Sequence, residues 1–199
     1  MPAPVFVCAH GAGGHKDDRG MLALAKVLEA RGVEVVRFDF PYRERKSGRP
    51  DPMPVLEATV AEVVARVREQ RRPDGLVIGG RSMGGRAASM LAAKGFQCDG
   101  LLLLAYPLHP AGQPEKLRDA HLASIEAPVL CLNGTRDALC RRDLMEKAVA
   151  GLSSWTMHWL DGADHSFRVL KSSGRTDADV LDEIGDESGA WLESLAHRR

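Results

Sequence analysis

The chain lacks an excess of charge of either sign: 27 lysines and arginines stand against 27 aspartates and glutamates in 199 residues. No basic stretch is interleaved with aromatics, which argues against a broad nucleic-acid-binding face. Long apolar runs are missing too. The longest, Leu101 to Leu108, is far too short to span a bilayer, so no membrane association is expected. The four cysteines (Cys8, Cys98, Cys131 and Cys140) have no C-x-x-C spacing. Cys8 and Cys131 fall in apolar runs, so reduced core thiols in a cytoplasmic protein are expected. No signal-peptide layout stands ahead of the first apolar run, Val5 to Ala9. There is no internal repeat, low-complexity segment or linker. The whole of 1–199 therefore reads as one domain, long enough to bury a substantial core.

What is present is an alternation of apolar runs with helical patterns. The runs are Val5 to Ala9, Val33 to Phe40, Leu76 to Gly79, Gly100 to Leu104, Pro128 to Asn133 and Trp155 to Leu160. Asp17 or Asp18 is placed to cap a first helix that Gly32 ends. Asp51-Pro52 reads as a cap and first-turn proline for a second, with Leu56, Val60, Val63, Val64 and Val67 at helical spacing. Glu115 to Ser124 and Arg141 to Val149 read as short helices. Thr176 or Asp177 opens the last, whose end carries His197, Arg198 and Arg199 at the negative pole of the dipole. Continuous apolar strands alternating with helices predict an α/β fold: about six mostly parallel strands with helices on both faces.

The third run ends in Gly80-Arg81-Ser82-Met83-Gly84, a G-x-S-x-G, and a helix rich in alanine and glycine follows. This pattern fits a nucleophile elbow, a strained strand-to-helix turn that exposes one serine. Strand and helix nearly touch there, and glycine removes the Cβ that would clash. The turn also aims the Met83 amide at the position of an oxyanion. Alone the motif is weak, since roughly one chain in ten of this size would carry it by chance. It gains weight from its company. Ligands bind beyond the carboxyl ends of strands in such a sheet. Those ends carry His10-Gly11-Ala12-Gly13-Gly14, Tyr42 with a basic loop, Ser82, Tyr106 with His109, Asp137 and His165. Serine, acid, histidine is the chain order of the α/β-hydrolase triad.

On these residues the chain resembles the α/β-hydrolase superfamily over nearly its whole length, as a minimal member without a cap domain. "GRSMGGRAA" beside "HGAGG" is similar, more narrowly, to the Tex/KANSL-type hydrolase-like family. The chain also resembles the lidless dienelactone-hydrolase-like proteins, which use cysteine where Ser82 stands. The superfamily's usual first two strands do not precede Val5, so a minimal sheet is expected. The resemblance implies Ser82 as nucleophile, His165 as its base and Asp137 as the group that orients the imidazole. It implies an oxyanion hole from the amides of Met83 and Ala12. His10 is expected to support its turn.

Each position has a bland rival. Asp137 competes with a helix-cap role, and Asp161 and Asp164 are rival acids on the histidine's own loop. His165 could be a surface histidine. Tyr42, Tyr106 and His109 are candidates for lining the substrate pocket. Arg43, Arg45, Lys46 and Arg49 read more readily as a solvated loop than as an anion site. Arg81 either contacts an anion or pins the elbow. The expected activity is hydrolysis of a small carboxylic ester or thioester, with no metal or organic cofactor and a small acyl ester as partner. A hydrolase-like scaffold with little turnover and a small-peptide serine peptidase are the alternatives.

Overall fold

The structure, a computed structural model, describes residues 4–196. Its strands are β1 (Val5–Ala9), β2 (Glu34–Phe38), β3 (Leu76–Arg81), β4 (Gly100–Leu104), β5 (Val129–Gly134) and β6 (Trp155–Leu160). They form one sheet in the order β2-β1-β3-β4-β5-β6. Every neighbouring pair is parallel. The continuous apolar runs β1, β3, β4 and β5 are central and almost wholly buried, whereas β2 and β6 are half-exposed edges.

Parallel strands need crossovers, and the helices that make them cover both faces. These are α1 (Arg19–Glu29), α2 (Pro41–Glu44), α3 (Met53–Arg71), α4 (Met83–Ala92), α5 (Arg142–Ala148) and α6 (Asp177–Ala196). Side chains alternate across the pleat. Phe6, Cys8, Val77, Leu102 and Leu104 pack against Met21, Leu24 and Leu28 of α1 and Val180 and Ile184 of α6. Val7, Ile78, Leu101 and Leu103 face Val60 and Val64 of α3, Ala87 and Ala88 of α4 and Met145 of α5.

Local signals mostly act as the residues suggest. Asp18 caps α1, accepting from the Met21 amide at 2.8 Å. Thr176 and Asp179 exchange hydrogen bonds at the start of α6, a reciprocal cap. Three expectations need correction. Asp51 does not cap α3; its carboxylate is held by Arg45 at 2.5 Å. The loop after β2 contains the short helix α2, because Pro41 fixes a helical φ at its first position. Glu115 to Ser124 is not a helix beyond a single 3₁₀ turn at Leu122–Ser124. His197, Arg198 and Arg199 lie outside the described residues. Among the described residues, no helix is long and apolar enough to cross a membrane.

The topology also fixes where a site can form. From β1 the chain steps one way to β2, then returns to β3 on the other side and continues outward to β6. The crevice at such a reversal lies outside the carboxyl ends of β1 and β3. The His10–Gly14 turn and Ser82 both stand there.

Candidate active site

The tight turn between β3 and α4 holds Ser82 at φ 52°, ψ −116°. Few non-glycine residues adopt this conformation, and it costs about 1–3 kcal/mol. Neighbouring contacts impose it. The Ser82 amide donates to the Leu104 carbonyl at 2.8 Å, and the Ser82 carbonyl accepts from the Arg86 amide at 3.0 Å. A Cβ on Gly80 would overlap the Ala9 carbonyl, and one on Gly84 would lie 2.7 Å from Ala9 Cβ. The two outer glycines of the motif thus let β1, β3 and α4 meet. Ser82 makes no side-chain cap to α4, and the first turn carries no acid. The positive end of that helix is left open beside the serine.

The turn after β1 is braced from beneath. His10 Nδ1 donates to the Gly11 carbonyl at 2.7 Å, while Nε2 accepts from the Phe40 amide at 3.2 Å. One nitrogen donates and the other accepts, so the ring is neutral. Burial lowers its pKa further, against the Gly11 bond and the nearby Asp39. Tyr42 donates its hydroxyl to the Ala12 carbonyl at 2.8 Å. A Cβ on Gly11 would stand only 3.5 Å from Ser82 Cβ, so this turn and the elbow are in near contact.

Asp137 follows β5 and its side chain is fully buried. Oδ1 accepts from the Leu139 amide at 2.8 Å, and Oδ2 accepts from Asn133 Nδ2 at 3.3 Å. Oδ2 also receives His165 Nδ1 at 2.8 Å. Across the ring, His165 Nε2 stands 2.9 Å from Ser82 Oγ. With Nδ1–H directed at the carboxylate, Nε2 is left to accept the serine proton. Asp161 and Asp164 serve elsewhere. Asp161 receives the Thr135 hydroxyl at 3.4 Å. Asp164 shapes the histidine loop by accepting the Ser166 and Arg168 amides at 2.7 and 3.0 Å.

Arg81 clamps that loop from the other side. Its Nη2 donates to the His165 carbonyl at 3.4 Å and to Ser166 Oγ at 3.2 Å. It belongs with the pinning role more than with the reacting atoms. Three pocket candidates need correction. Tyr42 and Tyr106 are fully buried and His109 is 2% exposed. Tyr106 donates to the Arg118 carbonyl at 3.1 Å, and His109 spans the Pro110 carbonyl and the Arg141 amide. Aromatic bulk and a satisfiable polar tip carry all three into the core rather than onto an open wall. In the basic loop, Arg43 reaches the Gly13 carbonyl at 3.4 Å and stacks over Tyr42.

Sequence reasoning missed Asn133. Its amide holds both the amide and the carbonyl of Tyr106, at 3.0 and 3.1 Å, besides contacting Asp137. A lone polar residue closing an otherwise apolar strand was the available signal. A second serine–histidine pair, Ser89 and His121 at 2.8 Å, lies two turns along α4. Ser89 is buried mid-helix and gives its proton to the Arg86 carbonyl at 2.8 Å. His121 is therefore the donor there, the reverse of a general base. Among the described residues, no group of three or more His, Cys, Asp or Glu side chains could hold a metal ion.

A half-buried serine at the topological reversal, bonded through histidine to a buried aspartate, defines a class. The chain belongs to the alpha/beta hydrolase domain family, whose profile matches residues 2–193. Solved structures agree on the fold. A lidless α/β serine hydrolase from Xanthomonas campestris is 23% identical, with TM-score 0.73 over 96% of this chain and 83% of that one. A dienelactone hydrolase from Anabaena variabilis is 18% identical, with TM-score 0.73 over 96% and 86%. Est1E from Butyrivibrio proteoclasticus, solved with bound ferulic acid, is 15% identical, with TM-score 0.76 over 99% and 93%.

Proposed function

We propose that the protein is a serine hydrolase that cleaves a small carboxylic ester or thioester through an acyl-enzyme on Ser82. The observation that carries this reading is the continuous bond path from Ser82 Oγ through His165 to Asp137. A hydroxyl is a weak nucleophile at neutral pH and needs a base within hydrogen-bond reach. His165 takes the Ser82 proton as Oγ attacks the acyl carbon, and returns it to the leaving alkoxide or thiolate. A water then repeats the sequence on the acyl-enzyme and frees the acid. Asp137 holds the imidazole tautomer and stabilises the imidazolium. The amides of Met83 and Ala12 are the oxyanion donors in this reading, at the open end of α4 and on the glycine turn.

The substrate class follows from what covers the site. Between β4 and β5 the chain adds one 3₁₀ turn and no cap, which leaves little apolar surface to shield a long acyl chain. A short acyl group fits this better than a lipid. The ferulic acid held by Est1E is a compact carboxylic acid of the kind such a reaction would release. The test is labelling with a fluorophosphonate probe and burst release from short p-nitrophenyl esters, beside Ser82→Ala. Labelling and burst that vanish in the variant support the reading. Labelling or burst that persists in it, or is missing from the native protein, rejects it.

A further inference from the structure

Behind the elbow, on the α1/α6 face, lies a groove of about 460 Å³. Its walls are Arg19 and Gly20 at the start of α1, the Ser166–Arg168 segment that follows His165, Arg81 at the end of β3 and Asp177 at the start of α6. Leu24, Phe167 and Leu181 give it an apolar floor. Three arginines therefore line one hollow of mixed polar and apolar surface. Among the described residues, none of Arg19, Arg81 and Arg168 has an ion-pair partner, although eight other arginines and lysines pair with carboxylates.

Arg81 is the telling member. A guanidinium offers five N–H donors. Arg81 makes only the two long bonds to the histidine loop, and its Nε is buried without any partner. The acids nearby do not complete it. Asp177 Oδ1 accepts from the Val169 amide. Both Asp18 oxygens accept, from the amides of His15 and Met21. Burial pushes the Asp18 carboxyl up, but those amides and the field of Arg81 hold it below the usual carboxylate range, so it stays charged and bound to backbone. Space for Arg81 is itself provided by sequence: a Cβ on Gly20 would sit 3.0 Å from Arg81 Nη1. An under-bonded guanidinium flanked by two free ones over apolar side chains is complementary to a carboxylate that carries a short apolar tail.

We propose that this groove is a binding site for a small organic carboxylate with a short alkyl body, separate from the Ser82 site and sharing Arg81 and the His165 loop as its wall. The headgroup is received by Arg81 with Arg19 and Arg168, and the tail lies over Leu24, Phe167 and Leu181.

The experiment uses Ser82→Ala protein, so that the outcome does not depend on turnover. Hexanoate is titrated by calorimetry and by amide NMR, beside hexanol and inorganic phosphate. Hexanoate should bind with an affinity that falls with added salt, and should shift the amides of Gly20, Ser166, Phe167 and Arg168. Hexanol and phosphate, each lacking half of the complement, should bind at least about tenfold more weakly, a gap of about 1.4 kcal/mol. The double variant Arg19→Glu/Arg168→Glu, folded as judged by circular dichroism, should lose hexanoate by about tenfold or more. Unchanged affinity in that variant, shifts confined to the Gly11–Gly13 and Met83 amides, or no binding at all would overturn the proposal. Each of these results leaves the fluorophosphonate test of the hydrolase reading untouched.

Discussion

Ser82 Oγ and His165 Nε2 lie 2.9 Å apart although 83 positions separate them in the chain. Neither residue can reach the other by local structure. The contact exists because β3 and β6 both run with their carboxyl ends on one edge of a parallel sheet, and because Asp137 and Arg81 fix the loop after β6 from two sides.

Asp137→Asn tests the orienting group. The amide offers Nδ2–H where the carboxylate accepted Nδ1–H, which favours the other imidazole tautomer. Ester turnover should fall about 10⁴-fold with KM little changed. A steady-state kcat within tenfold of the native protein would remove Asp137 from that role.

Ser82 stores strain that a substitution can release. Ser82→Gly should raise the unfolding free energy by about 1 kcal/mol over Ser82→Ala, since only glycine adopts φ 52°, ψ −116° without cost. Urea denaturation of the two inactive variants gives the comparison directly.

Arg81 is a positioning residue in this structure. Arg81→Ala frees the His165 carbonyl and Ser166 Oγ, and misplacement of the imidazole by about 1 Å should lower kcat by up to about 100-fold. KM should stay near its native value. A matched rise in KM with kcat unchanged would instead place Arg81 on the substrate.

Gly84 and Gly48 form a contrasting pair. A Cβ on Gly84 meets the Ala9 backbone, whereas one on Gly48 meets nothing within 4 Å. Gly84→Ala should cost about 3 kcal/mol through overpacking, and Gly48→Ala should be neutral or slightly stabilising. Thermal and urea unfolding of both variants will separate space from propensity.

Stability should depend on pH through buried histidines. His10 and His121 both have pKa values lowered from 6.5, chiefly by burial. The unfolded chain therefore takes up protons first as pH falls through 6.5, and the folded state loses stability from there until its own lowered pKa values are reached. Asp18 and Glu183 are held below the carboxylate range and add a further loss only at lower pH. Urea midpoints should drop between pH 7 and pH 5, and His121→Gln should flatten part of that slope. A midpoint that rises over this interval would contradict the assignment.

Much of this molecule is legible in local sequence. Apolar runs mark the four central strands, glycines mark the elbow, and Asp18 and Thr176 mark helix starts, because burial, turn conformation and capping each depend on a few adjacent residues. The order Ser82, Asp137, His165 after successive strands is legible for the same reason. Segment 115–124 misleads because tertiary bonds such as Arg118 N–H to the Leu108 carbonyl at 2.7 Å override its helical propensity.

What sequence by itself determined here is the alternation, the strand cores and the one turn able to hold a strained serine. Only the tertiary structure decided that Asp137 rather than Asp164 faces His165. The same is true of Tyr42, Tyr106 and His109, which lie buried in the core, and of Arg81, which grips the histidine loop and leaves its remaining donors at the groove. Those outcomes rest on directions and distances between segments far apart in the chain. Residue type states what a side chain could bond, and packing of the whole sheet chooses which partner it meets.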